Sequence, residues 1–470
     1  MANVNLTING KALSVPAGST ILDAARTNGI RIPTLCFLKG LDPHASCRMC
    51  VVEVEGARTF QHACAAKVRE GMVVHTDTEA VRASRKLTLE LLLSNHAVDC
   101  HHCLRIGSSR CDDLDPKFCE WCFFCDCVKD GFCELQALAR EYKVDKLPFE
   151  QKHNTLKEDK SSVIIRNPNK CIKCKRCADV CGKIQTVHNL AASGRGCEVT
   201  IGPAFGKSMA ESECIGCGRC VEVCPTGAIY TMEHKDELVY YAHREGVRTA
   251  ATVSADLIPE LERVLHRDPG SVTLDEIVGA LKKIGVDEVF DTAEAEKAVC
   301  AQAEALLSEK LSHGKPVILT NSFAAKAFLE KNFREKKDSF LFYDSAIAAF
   351  GKATESYDRR FAFGPVGGDA AECEKTRCVD IAVNARELAR IMIRTGAEPN
   401  PGRSTRPKLL GLSGPVGRFD RFLGKAAWNM DDEPESFEEN GFVCVICHNL
   451  NQARKTLAEA DRYDLIRIIA

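Results

Sequence analysis

The sequence has almost no excess of either charge. Sixty-three Lys and Arg stand against 65 Asp and Glu, a formal net charge of −2, and a chain so balanced offers no basic surface for nucleic acid. The opening residues, Met1 to Leu6, have neither a basic segment nor a long apolar run. Export and a membrane anchor are therefore not expected, and a cytoplasmic setting is. A nucleotide loop is also missing. Gly364-Pro365-Val366-Gly367-Gly368 is a lone glycine cluster without G-x-G-x-x-G spacing, and it reads as a turn. The chain is accordingly not expected to bind NAD or flavin itself.

What is abundant is cysteine, 26 in 470 residues. A reducing compartment keeps thiols from pairing, so metal ligation is the expected use. Buried free thiols would suit isolated positions such as Cys197 and Cys300, but they do not explain runs spaced two apart. The length predicts three or four modules, at ~100–200 residues per domain, and a hydrophobic content of 45% is enough for ordinary cores.

In the first module, residues 1–80, Val4–Ile8 alternates apolar and polar residues as a strand does. Asn9-Gly10 is a hairpin turn signal, and residues 12–15 return as a second strand. Ser19 or Thr20 can cap a helix through Ile21, Leu22 and Ala25 that stops near Gly29. Strand, hairpin, strand, helix suggests a β-grasp domain. Cys36, Cys47, Cys50 and Cys64 follow with spacing C-x10-C-x2-C-x13-C. Four thiolates are the usual ligand set of one iron–sulfur cluster; a zinc site is the bland alternative. The pattern resembles the [2Fe–2S] domain of complex I large subunits and of [FeFe] hydrogenases.

Residues 81–96 read as an amphipathic helix ending at His96, and His96-x3-Cys100 resembles the opening of the histidine-ligated [4Fe–4S] motif of the same families. Cys127-VKDGF-Cys133-ELQALA resembles its end. The resemblance implies His96, Cys100, Cys127 and Cys133 as ligands, within a domain over 81–155. A partition using His96, Cys100, Cys103 and Cys133 stays open. On the first partition an insertion carries Cys103, Cys111, Cys119, Cys122 and Cys125, enough for a structural zinc or another [4Fe–4S] cluster. So short an insertion would draw its stability from such a staple. His101 and His102 read as exposed bystanders.

Residues 156–232 carry an internal repeat: Cys171-x2-Cys174-x2-Cys177-x3-Cys181 and Cys214-x2-Cys217-x2-Cys220-x3-Cys224-Pro225. In the bacterial two-cluster ferredoxin pattern the fourth cysteine of each run ligates the other cluster. One [4Fe–4S] cluster is thus expected on Cys171, Cys174, Cys177 and Cys224, the other on Cys214, Cys217, Cys220 and Cys181. Gly216 and Gly218 permit close backbone approach. Gly182 stands where a proline would complete the first run.

This order of modules resembles that of [FeFe] hydrogenases, and the resemblance continues. Residues 273–292, ending in VFDT, residues 328–357, and the strand–helix pattern of 379–393 resemble hydrogenase segments, which implies an α/β domain over 233–470; residues 400–470 match poorly. The hydrogenase active-site cysteines are absent. Where TSCCP is expected the chain reads Thr320-Asn321-Ser322-Phe323-Ala324, and where MPC is expected, Gly364-Pro365-Val366. Ser322, Phe323 and Val366 supply no thiolate, so no H-cluster and no hydrogen chemistry are expected. Cys373-x4-Cys378 and Cys444-x2-Cys447 could hold a substitute cluster or zinc, or be unpaired thiols. Cys444-Val-Ile-Cys447-His448 also fits the C-x-x-C-H haem attachment motif, which is rejected because attachment needs export.

The expected whole is a multidomain α+β chain: β-grasp, histidine-ligated cluster, two-cluster ferredoxin, degenerate hydrogenase-like α/β domain. It would hold one [2Fe–2S] cluster and three [4Fe–4S] clusters, four or five if the extra sites are filled. The resemblance extends to the hydrogenase-like subunit of electron-bifurcating NAD(P)H:ferredoxin oxidoreductases. That implies a hetero-oligomer with a flavin and NAD(P)H-binding subunit, a thioredoxin-like [2Fe–2S] subunit and ferredoxin. A hydrogenase in its own right and a redox-sensing scaffold are the competing readings.

Overall fold

The computed structural model describes residues 2–97, 127–129, 133–150, 156–265, 267–311, 316–364, 367–412, 419–423, 426 and 428–470. The cysteines between 100 and 125 therefore lie outside the described residues.

The first strands are β1 (Asn3–Ile8) and β2 (Lys11–Pro16). Asn9 and Gly10 turn between them at φ 52° and 80°, the left-handed pair that a tight hairpin needs. The helix Ile21–Thr27 starts on a capping box: Thr20 accepts from the Asp23 amide while Asp23 reaches back to Thr20. Ile21, Leu22, Ala24 and Ala25 are its buried residues. With β3 (Val51–Val54), β4 (Gln61–His62) and β5 (Met72–His75) the strands form one mixed sheet, ordered β2-β1-β5-β3-β4, in which β1 runs parallel to β5. The helix Glu79–Ser94 leaves this sheet capped by Thr78. Its Arg85 is buried, donating to the Val51 carbonyl at 2.7 Å and the Tyr142 hydroxyl at 3.0 Å. His96 lies just beyond the helix end, and the helix Glu134–Glu141 follows Cys133 as expected.

Residues 156–232 hold only two small sheets: β6 (Ile164–Arg166) against β9 (Ile229–Thr231), and β7 (Ala191–Ser193) against β8 (Thr200–Gly202), both antiparallel.

Beyond residue 247 the alternation of strands and helices yields two sheets. The first, ordered β11-β10-β14-β15, is wholly parallel and built from β10 (Thr249–Val253), β11 (Glu288–Asp291), β14 (Arg359–Phe363) and β15 (Ile381–Val383). Every residue of β10 is buried, as in a strand covered on both faces. The helix Leu274–Ile284 packs beside it, entered by a Thr273–Glu276 capping box and left at Gly285, φ 109°. The VFDT segment is β11 and the start of the next helix, and 379–393 is β15 and the helix Ala385–Arg394. The second sheet is ordered β13-β12-β18-β17-β16, from β12 (Val317–Thr320), β13 (Phe340–Phe342), β16 (Glu435–Glu439), β17 (Phe442–Cys447) and β18 (Leu465–Ile468). Residues 400–470, poorly matched by pattern, thus supply three of its strands, including β18 between β12 and β17. Residues 328–357 are not one helix: the helix Phe323–Asn332 gives way to β13 and the helix Ala346–Ala353. Among the described residues no helix is long and apolar enough to cross a membrane.

Candidate metal centres

Cys36, Cys47, Cys50 and Cys64 are all buried where β3 and β4 begin and end. Left-handed bends at Ala45, before Cys47, and at Arg48, between Cys47 and Cys50, turn the loop at the site. Cys50 and Cys64 Sγ atoms are 3.3 Å apart. A hydrogen bond with Cys47 pulls the Cys36 thiol down to about 5, and one with Cys64 lowers Cys50. Cys47 and Cys64, their partners, rise correspondingly. The charge of Cys36 is felt at Cys47, Cys50 and Cys64, so the four thiols form one electrostatic unit.

Farther along, the swapped pairing of the two cysteine runs is visible in space. Cys171, Cys174, Cys177 and Cys224 line one small apolar-walled cavity. Cys181, Cys214, Cys217 and Cys220 line another. Burial pushes Cys171 and Cys181 to about 11 and Cys174 to about 12, and holds Cys177 and Cys220 well above a free thiol. Within the first set the charge of Cys224 adds to the rise; within the second, Cys181 and Cys214 do the same for Cys220. Buried thiols so reluctant to ionise become thiolates only beside compensating positive charge, which is what ligated iron provides. Among the described residues no three His, Cys, Asp or Glu side chains close on a single-ion site. Thiols lining a [4Fe–4S] cluster stand farther apart, each on its own iron. The donor set, the burial and the cavities fit iron–sulfur clusters.

Between these centres lie Cys127 and Cys133, both buried, and His96, also buried at the end of its helix. Cys133 caps the following helix, accepting from the Gln136 amide at 3.4 Å. Cys127 faces the ferredoxin-like segment: a Cβ placed on Gly227 would stand 3.1 Å from its Sγ. The Glu134 amide donates to the Pro225 carbonyl at 2.9 Å and the Ala97 amide to Asn169 at 2.8 Å. One apolar core joins Cys36, Cys47, Cys127, Cys133 and Cys174 through Leu35, Leu89, Leu93 and Leu135. The remaining cysteine of the histidine-ligated set, Cys100, and the insertion cysteines Cys103, Cys111, Cys119, Cys122 and Cys125 lie outside the described residues.

Among the polar contacts that cross the same junction, two come from residues lodged between ligand cysteines, and neither carries a sequence motif. Arg176, inside the Cys174–Cys177 turn, grips Glu134 through both guanidinium nitrogens at 2.6 and 2.9 Å. Its side chain is 6% exposed, and its charge is felt from both Cys174 and Cys36. His44, in the loop between Cys36 and Cys47, pairs with Asp179, between Cys177 and Cys181. The only signal in sequence was a basic or acidic residue lodged between ligand cysteines.

The matches to known families follow this geometry. Residues 1–79 match the 2Fe-2S iron-sulfur cluster binding domain, 210–230 a 4Fe-4S binding domain, and 247–410 the iron only hydrogenase large subunit, C-terminal domain. The domain make-up is that of a hydrogenase-like iron–sulfur protein. The NADP-reducing hydrogenase subunit HndD of Solidesulfovibrio fructosivorans is 39% identical over 304 residues, 62% of this chain and 47% of that one. A NADH-quinone oxidoreductase subunit of Rhizobium meliloti is 37% identical over 235 residues, 49% of this chain and 24% of that one. The NADPH-Fe(3+) oxidoreductase subunit alpha of Geobacter sulfurreducens is 33% identical over 232 residues, with the same shares. The chain therefore spans about half the length of the first of these relatives and a quarter of the other two.

The four late cysteines do not gather. Cys444 and Cys447 are three apart on β17, and side chains alternate faces along a strand, so Cys444 enters one apolar core with Phe419 and Phe422 and Cys447 another with Phe328 and Leu450. Cys447 donates to Thr456. Cys373 and Cys378 sit elsewhere, against Phe290 and Phe350 under the first sheet. Cys373, Cys378, Cys444 and Cys447 are thus not brought together into the one centre that the sequence left open beside unpaired thiols. At the lost hydrogenase position, Ser322 caps the helix Phe323–Asn332, accepting from the Ala325 amide at 3.3 Å.

Proposed function

We propose that the chain is the iron–sulfur electron-transfer subunit of a flavin-dependent oxidoreductase complex that couples NAD(P)H to ferredoxin. The observation that carries this is the single apolar core in which cysteines of three candidate centres meet. Centres packed that closely suit a wire better than a scaffold. The ligand sets are Cys36, Cys47, Cys50 and Cys64 for [2Fe–2S]; His96, Cys100, Cys127 and Cys133 for the first [4Fe–4S]; and the two cavities for the others. Clusters there supply one-electron chemistry. The chain's own residues bury the thiols, exclude water and fix the spacing.

The relatives' names, a NADP-reducing hydrogenase, a NADH-quinone oxidoreductase and a NADPH-Fe(3+) oxidoreductase, favour a partner that carries the nicotinamide and flavin sites. A thioredoxin-like [2Fe–2S] subunit and electron bifurcation at the partner flavin belong to the same reading. The β-grasp description of residues 1–80 and the boundaries at 80, 155 and 232 go with it. Ser322 in the role of a helix cap supports a conduit without hydrogen chemistry. Anaerobic isolation from the native source, with identification of associated chains, iron and sulfide counts, and electron paramagnetic resonance of the reduced protein, tests it. A flavin-bearing NAD(P)H subunit and four reducible clusters are expected. Hydrogen turnover with a dye acceptor, or isolation without a flavoprotein partner, would count against it.

A further inference from the structure

Apart from the candidate clusters, one pair of cysteines is built for chemistry. Cys373 lies in the last turns of the helix Gly367–Thr376, buried at 4% exposure. The chain then reverses through Arg377, held left-handed at φ 54°, with the Arg377 amide donating to the Cys373 carbonyl at 2.9 Å. The reversal returns Cys378 to Cys373, and the two thiols are hydrogen-bonded within the same apolar core. The turn is fixed from outside. The Cys378 amide donates to the Thr376 hydroxyl at 3.3 Å, and the Cys378 carbonyl packs so tightly on Gly351 that a Cβ there would stand 2.0 Å from it. Cys378 is half-buried and Cys373 buried, so Cys378 is the more accessible residue of the pair. We propose that Cys373 and Cys378 form a reversible dithiol–disulfide site that exchanges with small-molecule or protein disulfides.

The roles follow from position. Cys378 is the attacking sulfur. The Cys373 thiol and the Val379 amide donate to it, and they draw its thiol down to about 6, where a large share is thiolate at neutral pH. The Cys378 thiolate attacks one sulfur of the incoming disulfide, forming a mixed disulfide and releasing the other half as a thiolate. Cys373 then gives its proton to solvent and attacks Cys378 Sγ, closing the internal bond and expelling the second half. Two protein thiols are oxidised and one disulfide is reduced to two thiols. The site lies beside the proposed clusters: on the same helix Ala371 meets the Gly216 backbone, and the charge of Lys375 is felt at Cys214.

The full chain, prepared anaerobically with its iron, would be poised in mixtures of glutathione and glutathione disulfide, acid-quenched, alkylated and digested with trypsin. Lys375 and Arg377 separate the two cysteines, so an internal bond joins peptides 361–375 and 378–386 and is read directly by mass spectrometry. The expected result is this cross-link, rising with the oxidised fraction and lost on returning to excess glutathione. Under reducing conditions Cys378 should alkylate at least tenfold faster than Cys373. In Cys373→Ser, Cys378 should stop at the glutathione adduct. Both cysteines remaining alkylatable at every poise, or the wild type stopping at the Cys378 adduct, overturns the proposal. Iron content, measured alongside, separates this outcome from failure of the electron-transfer reading.

Discussion

Residues 156–232 and residues 247–470 hold themselves together by different means. In the first, the core residues include Cys177, Cys220 and Cys224, with Cys171, Cys181 and Cys214 packed against them, and the sheets are two strands each. In the second, one parallel and one mixed sheet cover apolar cores of Val, Ile, Leu and Phe, and Cys444 and Cys447 are ordinary buried side chains. A sheet of two strands is marginal alone, so the first region should owe its order to iron and the second to packing.

The sharpest way to break that contrast is to remove the metal. Chelation under anaerobic, reducing conditions should open 156–232 to limited proteolysis and leave 247–470 resistant. Equal cleavage in both halves would mean that the distinction is wrong. Cys174→Ala should remove about four irons per chain, whereas Cys447→Ala should leave the iron count unchanged and cost about 1 kcal/mol.

Packing is tested next at Gly279. A Cβ there would lie 1.8 Å from the Arg403 carbonyl oxygen, and neither backbone can yield without moving its neighbours. Gly279→Ala should destabilise the second region by about 1–3 kcal/mol, read by urea unfolding, with iron and sulfide unaltered.

Arg176 belongs to the junction. Arg176→Gln removes a buried cation felt at Cys174 and Cys36, which favours the more oxidised state of any cluster there. Redox titration by electron paramagnetic resonance should show those potentials moving more negative. The stability cost should be modest, about 1 kcal/mol, because Glu134 is 44% exposed and regains water.

A last expected effect is the pH dependence at Glu387. Burial, with Glu233 nearby, raises this carboxyl from 4.5 to about 8, although the His234 and Asn384 amides donate to it. A raised acid binds its proton more tightly folded than unfolded. Its contribution is therefore whole below about 4.5 and is lost as pH climbs through about 8. Glu387→Gln should flatten the loss of stability over that window, seen in urea midpoints at pH 5, 6, 7 and 8.

Local signals were legible because local physics sets them. Ser19 or Thr20 announced a helix start, Asn9-Gly10 a hairpin, and two runs of cysteines at x2 and x3 spacing the two cavities with their exchanged fourth member. What stayed hidden depends on long-range pairing. Nothing within residues 465–468 says that β18 lies between β12 and β17. The parity of Cys444 and Cys447 was readable, since three residues along a strand reverses the face, but only once the segment was known to be a strand rather than a metal loop. Arg176 and His44 gave no signal beyond their place between ligand cysteines, because a polar pair has no period and its partner lies 42 or 135 residues away.

Ile215 sits between two ligand cysteines, yet its side chain belongs to the core of the second sheet, among Ile318, Phe328 and Leu450. Gln185, from the same segment, accepts from the Leu450 amide at 3.2 Å. A fragment begun at residue 247 for recombinant expression would thus carry an open socket on its surface, with aromatic and aliphatic walls. Such a fragment should self-associate, and a boundary that retains Ile215 with its neighbouring loop is the better place to cut.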